Sequence, residues 1–410
     1  MSDVPPLIVD GRPDTSVEAL QALAPGILYC QVAGSGPTFP VAQRAAERAR
    51  AWLNEVGMFS HVGYDAYNAW LTEARADFAA FLGDEGGSSR IALMASATEG
   101  LNALVLGLRL PPGSLIVTTA EEHGSALMPL HRRRERGDRL RIVRHASDDQ
   151  LLDGVRGALR EGARAILISL VSCKSGNVLP VREACALARE AGAVSIVDAA
   201  QALGQIPVDV RALGADAVVT LGHKWVHGPL ATGAIWVRDV ERFSAERLGW
   251  RSQSAFDVDD GYVLQADATR FETGTVDAPA FVGLRQAIAV HHALGPAVAT
   301  RLRGLRARLI ERLLALPVEL RSRPDAPTGI VVITPRGGDA AGIVTRMWTE
   351  DRIVVKHLAE PGIVSAGTSG GSAGTSGGSD GMRISFWALH TEGDMDRVAS
   401  SLAARMAVPA

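Results

Sequence analysis

Six short apolar runs between residues 91 and 237 constrain the fold of this 410-residue chain more than any other feature. Stretches with helical spacing of apolar residues separate the runs, which are IALM (91–94), SLIVTT (114–119), AILISLV (165–171), VSIVD (194–198), DAVVTLG (216–222) and GAIWV (233–237). Continuous Val, Ile and Leu runs that alternate with helices are typical of a mostly parallel sheet covered on both faces. The pattern therefore predicts an α/β domain.

The pattern changes after residue 276. Two long helices rich in Ala, Leu and Arg (278–293 and 297–316) are followed by a strand at 329–334, a helix at 339–349, strands near 352–356 and 382–387, and a last helix at 391–406. This order favours a smaller α+β domain. We predict a large domain of residues 26–295 and a small domain formed by residues 1–25 and 296–410.

A perfect tandem repeat, SAGTSGG twice over residues 365–378, lies inside the small domain. Gly/Ser tracts cannot build a core and behave as coils, so we interpret the repeat as a flexible surface loop. An active-site lid is the alternative interpretation.

The composition favours a small-molecule partner. A net charge of −3 gives no basic surplus for a nucleic acid or an anionic membrane. Cys30, Cys173 and Cys185 form no CxxC pair, which favours a reducing compartment. The N-terminal segment lacks the pattern of a secretory signal, and no run reaches the roughly 18 apolar residues of a membrane span. We expect a cytoplasmic protein without a nucleic-acid or membrane partner, and predict no metal site.

Lysine is rare in this chain, which has 39 arginines but only Lys174, Lys224 and Lys356. Arginine stays protonated, whereas a lysine amine can lose its proton and attack a carbonyl group. Lys224 directly follows the end of one predicted strand, and Asp198 ends the strand before it. Ligands of open parallel sheets bind beyond the carboxyl ends of the strands, so both side chains should reach one site.

A lysine and a carboxylate at such a site suit pyridoxal phosphate. The amine forms a Schiff base with the cofactor, and the carboxylate keeps the pyridine nitrogen protonated. The alternatives are that Asp198 caps the following helix and that Lys224 is a surface cation.

Two further strand ends carry candidate cofactor ligands. ASATEGLN (95–102) places a small-residue turn at the start of a helix, where N–H groups and the helix dipole attract a phosphate. Thr98 in this segment could instead be an ordinary N-cap. EEHGSAL (121–127) places His123 after the strand SLIVTT, where its imidazole could stack on a cofactor ring or serve only the turn.

These motifs together resemble the cysteine desulfurase-like class V aminotransferase family of pyridoxal 5'-phosphate enzymes. The resemblance runs from AGSGPTFP (33–40) to MRISFWALHTEGDMDRV (382–398) and is most specific in VDAAQALGQIPVDV and GADAVVTLGHKW. It implies fold type I, bound pyridoxal phosphate, an amino-acid substrate and a homodimer with shared active sites.

The resemblance also implies residue roles. The implied residues are Lys224 as the Schiff-base lysine, Asp198 as the partner of the pyridine nitrogen, Gln201 as a donor to the phenolic oxygen, His123 stacked on the ring, Ala97, Thr98 and His223 at the phosphate, Thr275 at the phosphate of the neighbouring subunit, and Arg383 at the substrate α-carboxylate.

The sequence departs from the family at its cysteines. Desulfurases of this family carry a mobile-loop cysteine that accepts sulfur as a persulfide, but this chain has no cysteine after Cys185. Cys173 stands where the family more often has Asn beside the cofactor, and either packs or takes part in the chemistry.

We therefore expect a β-lyase that cleaves the C–S bond of a cysteine-derived or S-conjugated amino acid. An aminotransferase, a decarboxylating deaminase or an enzyme similar to isopenicillin-N-epimerase is the alternative on the same cofactor. Two other classes are a non-catalytic binding module, which the pair of Lys224 and Asp198 disfavours, and a nicotinamide oxidoreductase. The latter is disfavoured because GSGP (34–37) lacks the third glycine of a dinucleotide-binding turn.

Overall fold

The computed structural model describes residues 15, 20, 26–337, 339–359 and 380–406. Among these residues, two compact units are found. The first unit contains Gly36–Ser172 and Leu179–Gly295. The second unit contains residues 26–35, Cys173–Val178 and the described residues from Pro296 onward. The SAGTSGG repeat at 365–378 lies outside the described residues.

The elements of the described residues are numbered here in chain order. The strands are β1 (Leu28–Tyr29), β2 (Ile91–Met94), β3 (Leu115–Thr119), β4 (Arg139–Val143), β5 (Ala163–Ser169), β6 (Val194–Asp198), β7 (Ala217–Leu221), β8 (Gly233–Val237), β9 (Gln253–Asp257), β10 (Gly261–Leu264), β11 (Val318–Leu320), β12 (Ile330–Pro335), β13 (Ile353–Val354), β14 (Lys356–Leu358) and β15 (Gly381–Ser385). The helices are α1 (Pro40–Val56), α2 (His61–Phe81), α3 (Ala97–Gly107), α4 (Gly124–Glu135), α5 (Asp148–Arg160), α6 (Val181–Glu190), α7 (Val210–Leu213), α8 (Ala278–Leu294), α9 (Ala297–Leu314), α10 (Ala340–Asp351) and α11 (Glu392–Met406).

The first unit is built on a seven-stranded sheet with the order β2-β8-β7-β6-β5-β3-β4. The pairs from β3 to β7 are parallel, and β8 runs antiparallel to both β2 and β7. The inner strands β5, β6 and β7 are buried almost throughout, as their continuous apolar sequences predict. The predicted α/β class is confirmed.

The edge strand β4 was not predicted. Its sequence RLRIV alternates arginine with apolar residues, and most of its side chains are half-buried or exposed. Its sequence therefore contains fewer consecutive apolar residues than the runs that identify buried strands. It is a strand because it pairs with β3.

Helices α1 and α2, also not predicted, pack on α8 in the first unit. The face of α1 toward the core consists of small residues, with Ala42, Ala45 and Ala49 fully or nearly fully buried. A side chain on Gly283 of α8 would put a Cβ atom 2.6 Å from the carbonyl oxygen of Ala42. Small residues thus allow the two helices to approach closely.

The second unit contains an antiparallel sheet with the order β11-β12-β15-β14 and the helices α9, α10 and α11. Arg306 of α9 is 1% exposed and donates to the carbonyl oxygens of Pro324 (3.2 Å), Thr328 (3.0 Å) and Ile330 (2.5 Å). The guanidinium therefore fixes the connection into β12.

Across the described ranges, no helix is long and apolar enough to cross a membrane.

Candidate active site

Strands β6 and β7 place Asp198 and Lys224 at the same edge of the first unit's sheet. Asp198 ends β6 and pairs with Val219, and the N–H of Ala199 donates to the Val219 carbonyl at 2.8 Å. Lys224 follows three residues after β7 ends. The Asp198 carboxylate is buried and accepts the N–H of Ala200 at 2.9 Å. The bond forms an Asx-type turn. No helix begins there, since the next helix, α7, starts at Val210 with Asp209 as its N-cap, so the alternative of a helix cap at Asp198 is wrong.

The charges of three predicted catalytic residues act on one another. Burial raises the pKa of Asp198, and the positive charges of Lys224 and His123 oppose that rise. Burial lowers the pKa of His223, and the neighbouring Lys224 lowers it further. The structure thus brings Asp198, Lys224, His123 and His223 into one electrostatic cluster.

The turn that carries Lys224 is held by the segment before α1. The N–H of Gly36 donates to the carbonyl of His223 at 2.8 Å, and a Cβ atom on Gly36 would lie 2.1 Å from the carbonyl oxygen of Lys224. His227 adopts a left-handed conformation (φ 58°), and its ring stacks on Phe39 at 4.7 Å. Glycine at position 36 is therefore needed for this close approach. Sequence reasoning missed His227 and Phe39.

Gln201 is buried and lies against the residue after the lysine. The indole Nε1–H of Trp225 donates to Gln201 Oε1 at 2.8 Å. This bond directs the amide nitrogen of Gln201 away from the indole, and that nitrogen is a donor. The observed orientation fits the role of a donor to a cofactor oxygen.

Helix α3 begins as a phosphate cradle requires. Its N-cap is Ser96, which accepts the N–H of Glu99 at 3.1 Å, so the alternative of Thr98 as the N-cap is wrong. Ala97 and Thr98 are the first two helical residues, and their N–H groups have no acceptor within the helix. A Cβ atom on Gly100 would lie 2.6 Å from a side chain of β8, so this glycine lets α3 pack close to the sheet.

His123 is the N-cap of α4. Its Nδ1 accepts the N–H of Ser125 at 3.1 Å, and the hydroxyl of Ser125 lies 2.9 Å from the same nitrogen. The same hydroxyl lies 2.8 Å from Thr98 Oγ1. Ser125 thus connects the residue predicted to stack on the cofactor with the residue predicted to bind its phosphate, and no sequence motif pointed to it.

Glu122 is a second buried carboxyl group beside the cluster. Its Oε1 accepts the Thr119 hydroxyl at 2.7 Å and the Ser169 N–H at 3.1 Å, and its Oε2 contacts the Ser169 hydroxyl. Burial raises the pKa of Glu122 to about 7, against hydrogen bonds from Ser169 and Thr119, and Asp198 adds to the rise. In the sequence, only its position directly before His123 could have marked Glu122 as a residue of the candidate site.

Three other predicted site residues, Thr275, Arg383 and Cys173, lie outside the electrostatic cluster described above. Thr275 is exposed in the loop before α8 of the first unit. In the second unit, Arg383 on β15 donates through Nη1 to the carbonyl of Cys173 at 2.9 Å and lies 3.4 Å from Gln31 Oε1. Its buried Nε has no hydrogen-bond partner among the residues described here.

Comparison with known proteins places the chain in a family. A family model described as aminotransferase class-V matches residues 30–398. A probable cysteine desulfurase of Methanothermobacter thermautotrophicus is 32% identical over 272 residues, which cover 65% of this chain and 67% of that protein. Matches to three further probable cysteine desulfurases, including one of Pyrococcus abyssi at 31% identity, span 34%, 55% and 54% of those proteins' own lengths.

Solved structures share the fold. A lysine-to-alanine variant of C-DES with glycine covalently linked to its pyridoxal phosphate cofactor has a TM-score of 0.84 at 22% identity, covering 95% of this chain and 99% of that one. A cysteine desulfurase of Thermococcus onnurineus has a TM-score of 0.82 at 21% identity, covering 97% and 99%.

The donor set of the first unit fits pyridoxal phosphate. A lysine amine, a buried carboxylate and a capped helix with two N–H groups at its start meet the needs of an aldehyde, a pyridine nitrogen and a phosphate. The fold and these groups define a pyridoxal-phosphate-dependent enzyme of fold type I. The chain belongs to the class-V aminotransferase family. The predicted family, enzyme class and cofactor are confirmed.

Proposed function

We propose that this enzyme cleaves the C–S bond of a cysteine-derived or S-conjugated amino acid by β-elimination. The Cα–H and Cβ–S bonds break, and one water is consumed, so that the substrate gives a thiol, pyruvate and ammonium. The observation that carries this proposal is the burial of every cysteine of the chain.

Sulfur relay through a persulfide needs a reactive thiolate. Cys30 and Cys185 are 0% exposed and Cys173 is 8% exposed. Burial raises the pKa of Cys185 to about 12 and that of Cys30 well above its ordinary value. A buried, protonated thiol is a poor nucleophile. We therefore favour release of sulfur as the product's own thiol over transfer to a cysteine of this chain.

The residues divide the chemistry among them. When bound, pyridoxal phosphate takes up the electron pair released at Cα. Asp198 would hold a proton on the cofactor's ring nitrogen, and its burial would strengthen that pairing. Lys224 would hold the cofactor through its amine, and the same amine would take the proton from Cα of the substrate.

Other assignments continue to rest on the resemblance. Ala97, Thr98 and His223 would bind the cofactor phosphate, and Gln201 its phenolic oxygen. Arg383 would bind the substrate carboxylate, since a guanidinium forms a paired contact with a carboxylate.

Cys173 is proposed to pack beside the cofactor rather than to react, because the thiol is buried. Thr275 would contact the phosphate of a neighbouring subunit, so we also propose a homodimer. Sedimentation of the holoenzyme would test that assembly, and a monomer with full activity would exclude the role of Thr275.

The structural comparisons favour this reaction class. One solved relative is a complex of the cystine C-S lyase C-DES with its reaction product cysteine persulfide, with a TM-score of 0.80 at 22% identity, covering 91% of this chain and 96% of that one. That protein is a cystine C-S lyase, which supports the lyase over the aminotransferase alternative.

Substitution of the lysine tests the proposal. Lys224→Ala should lose both turnover and the absorbance of covalently attached cofactor, because no other lysine lies in the motif GADAVVTLGHKW. Lys356→Ala, which removes an exposed lysine of β14, is the matched control and should retain both. Full activity of Lys224→Ala would refute the assignment.

A further inference from the structure

Strands β3 and β5 separate at the edge of the sheet that carries the candidate site. Their backbone pairing ends at Val117 and Ile166, although β3 continues to Thr119 and β5 to Ser169. From β3 the chain continues to β4 on one side, and from β5 it continues to β6 and β7 on the other. Open α/β sheets bind their ligands at such a switch point. The buried backbone groups at this gap need partners other than the neighbouring strand.

Two side chains bridge the gap between β3 and β5. The hydroxyl of Thr118 donates to the carbonyl oxygen of Leu167 at 2.9 Å. Closer to the edge, Oε1 of Glu122 accepts the N–H of Ser169 at 3.1 Å and the hydroxyl of Thr119 at 2.7 Å. Glu122 and Thr119 are 0% exposed, and Ser169 is buried as well. The carboxyl group of Glu122 therefore takes the place of a strand-to-strand hydrogen bond.

The same carboxyl group connects the segments that carry two predicted site residues. Ser169 pairs with Asp198 at the end of β6, and the N–H of Leu170 donates to the Asp198 carbonyl at 2.8 Å. His123 directly follows Glu122 and is the N-cap of α4. A change in the length of the Glu122 side chain would therefore displace the backbone of His123 relative to that of Asp198.

We propose that Glu122 is a positioning residue whose side-chain length sets the separation of His123 and Asp198 for cofactor binding. This inference rests on the proposed roles of those two residues at the cofactor ring, and it adds a residue that the proposed function does not use. The length matters because one carboxyl group reaches both strands. The charge is not required, since the oxygen of an amide of the same length can still accept from the Thr119 hydroxyl and the Ser169 N–H.

Two variants separate the length of the side chain from its charge. Glu122→Gln keeps the length and removes the charge, whereas Glu122→Asp keeps the charge and is one methylene group shorter. Equilibrium dialysis of apoprotein against pyridoxal phosphate at neutral pH would give the dissociation constants. Glu122→Gln should bind the cofactor within about 2-fold of the wild type, and Glu122→Asp about 10-fold more weakly or worse, because its carboxyl group cannot keep both contacts without moving a strand end.

Thr118→Val is the matched control, since it removes the other side-chain bridge between the same two strands. It should lower the free energy of unfolding but keep the cofactor affinity of the wild type. Visible circular dichroism of the bound cofactor is the second measurement, because it reports the asymmetric surroundings of the ring. The dichroic band should be kept in Glu122→Gln and Thr118→Val and reduced in Glu122→Asp.

Wild-type affinity and dichroism in Glu122→Asp would overturn the proposal. Equal losses in Glu122→Gln and Glu122→Asp would also overturn it, because charge rather than length would then matter, and so would an equal loss in Thr118→Val.

A milder variant decides the case in which Glu122→Asp does not fold. Thr119→Val removes the contact of the Glu122 carboxyl group on the β3 side and should weaken cofactor binding about 3-fold or more, whereas unchanged affinity would overturn the proposal. Dialysis and dichroism need no substrate. Their outcome is therefore separate from that of the proposed function, which fails instead if no C–S bond is cleaved.

Discussion

The contribution of the buried carboxyl group of Glu122 to the stability of this protein should fall as the pH rises from acid toward neutrality. Burial raises the pKa of Glu122 to about 7 from an ordinary value of 4.5. At a pH between these two pKa values, the Glu122 carboxyl group is therefore protonated in the folded state but ionised in the unfolded state. The contribution of Glu122 to the free energy of unfolding must therefore decrease with pH across that window and level off above about pH 7.

The size of the effect follows from the shift in pKa. A difference of roughly 2.5 pKa units corresponds to about 3 kcal/mol between the two ends of the window. Glu122→Gln removes the titration. The Gln amide can still accept from Thr119 and donate to the hydroxyl of Ser169, both of which lie beside the carboxyl group.

Urea unfolding of apoprotein at pH 5, 6, 7 and 8 measures this prediction. The free energy of unfolding of Glu122→Gln minus that of the wild type should rise by about 2.5 kcal/mol from pH 5 to pH 8, because pH 5 already lies inside the window. Burial lowers the pKa of His291 to about 4, so its contribution is lost as the pH falls from about 6.5, but it is common to both proteins and cancels.

Glu319→Gln, at an exposed position of β11, is the control and should give a difference that does not change with pH. A flat difference for Glu122→Gln as well would refute the reasoning.

Three further substitutions test other contacts. Asp198→Ala should retain some cofactor but lose about 10²-fold or more in turnover, and an unchanged rate would exclude its role at the ring nitrogen. Gly36→Ala should lower cofactor occupancy, measured by absorbance, because its Cβ would lie 2.1 Å from a backbone oxygen of the lysine turn; Gly304→Ala, where a Cβ meets open space, should not. Arg306→Met should lower the free energy of unfolding by about 3 kcal/mol or more, since buried carbonyls lose their donor, and a change below about 1 kcal/mol in urea unfolding would contradict this.

The sequence was most informative where burial is complete. Strands β2, β6 and β8 match the predicted runs residue for residue, because every residue of these three strands is buried, including those of β2 at the sheet edge. The edge strand β4 and the exposed hairpin of β9 and β10 carry no such pattern, since pairing rather than burial defines them.

Candidate site residues could be named from the sequence where a strand end or a motif marked them. Asp198 ends a strand and Lys224 and His123 follow strands, and the structure places the charges of Lys224 and His123 within reach of Asp198. Ser125 and His227 were missed because their roles depend on an amide direction and a left-handed turn, which appear only once the chain has folded.

The products formed from cysteine S-conjugates test the central claim most directly. Holoenzyme would be incubated with a panel of such conjugates and the products identified by mass spectrometry, with Lys224→Ala in parallel. The account predicts pyruvate, ammonia and the free thiol in equal amounts from wild-type enzyme and none of them from the variant. Conversion of the conjugates to an oxo acid or aldehyde that keeps its sulfur, or exchange of deuterium at Cα alone, would contradict it.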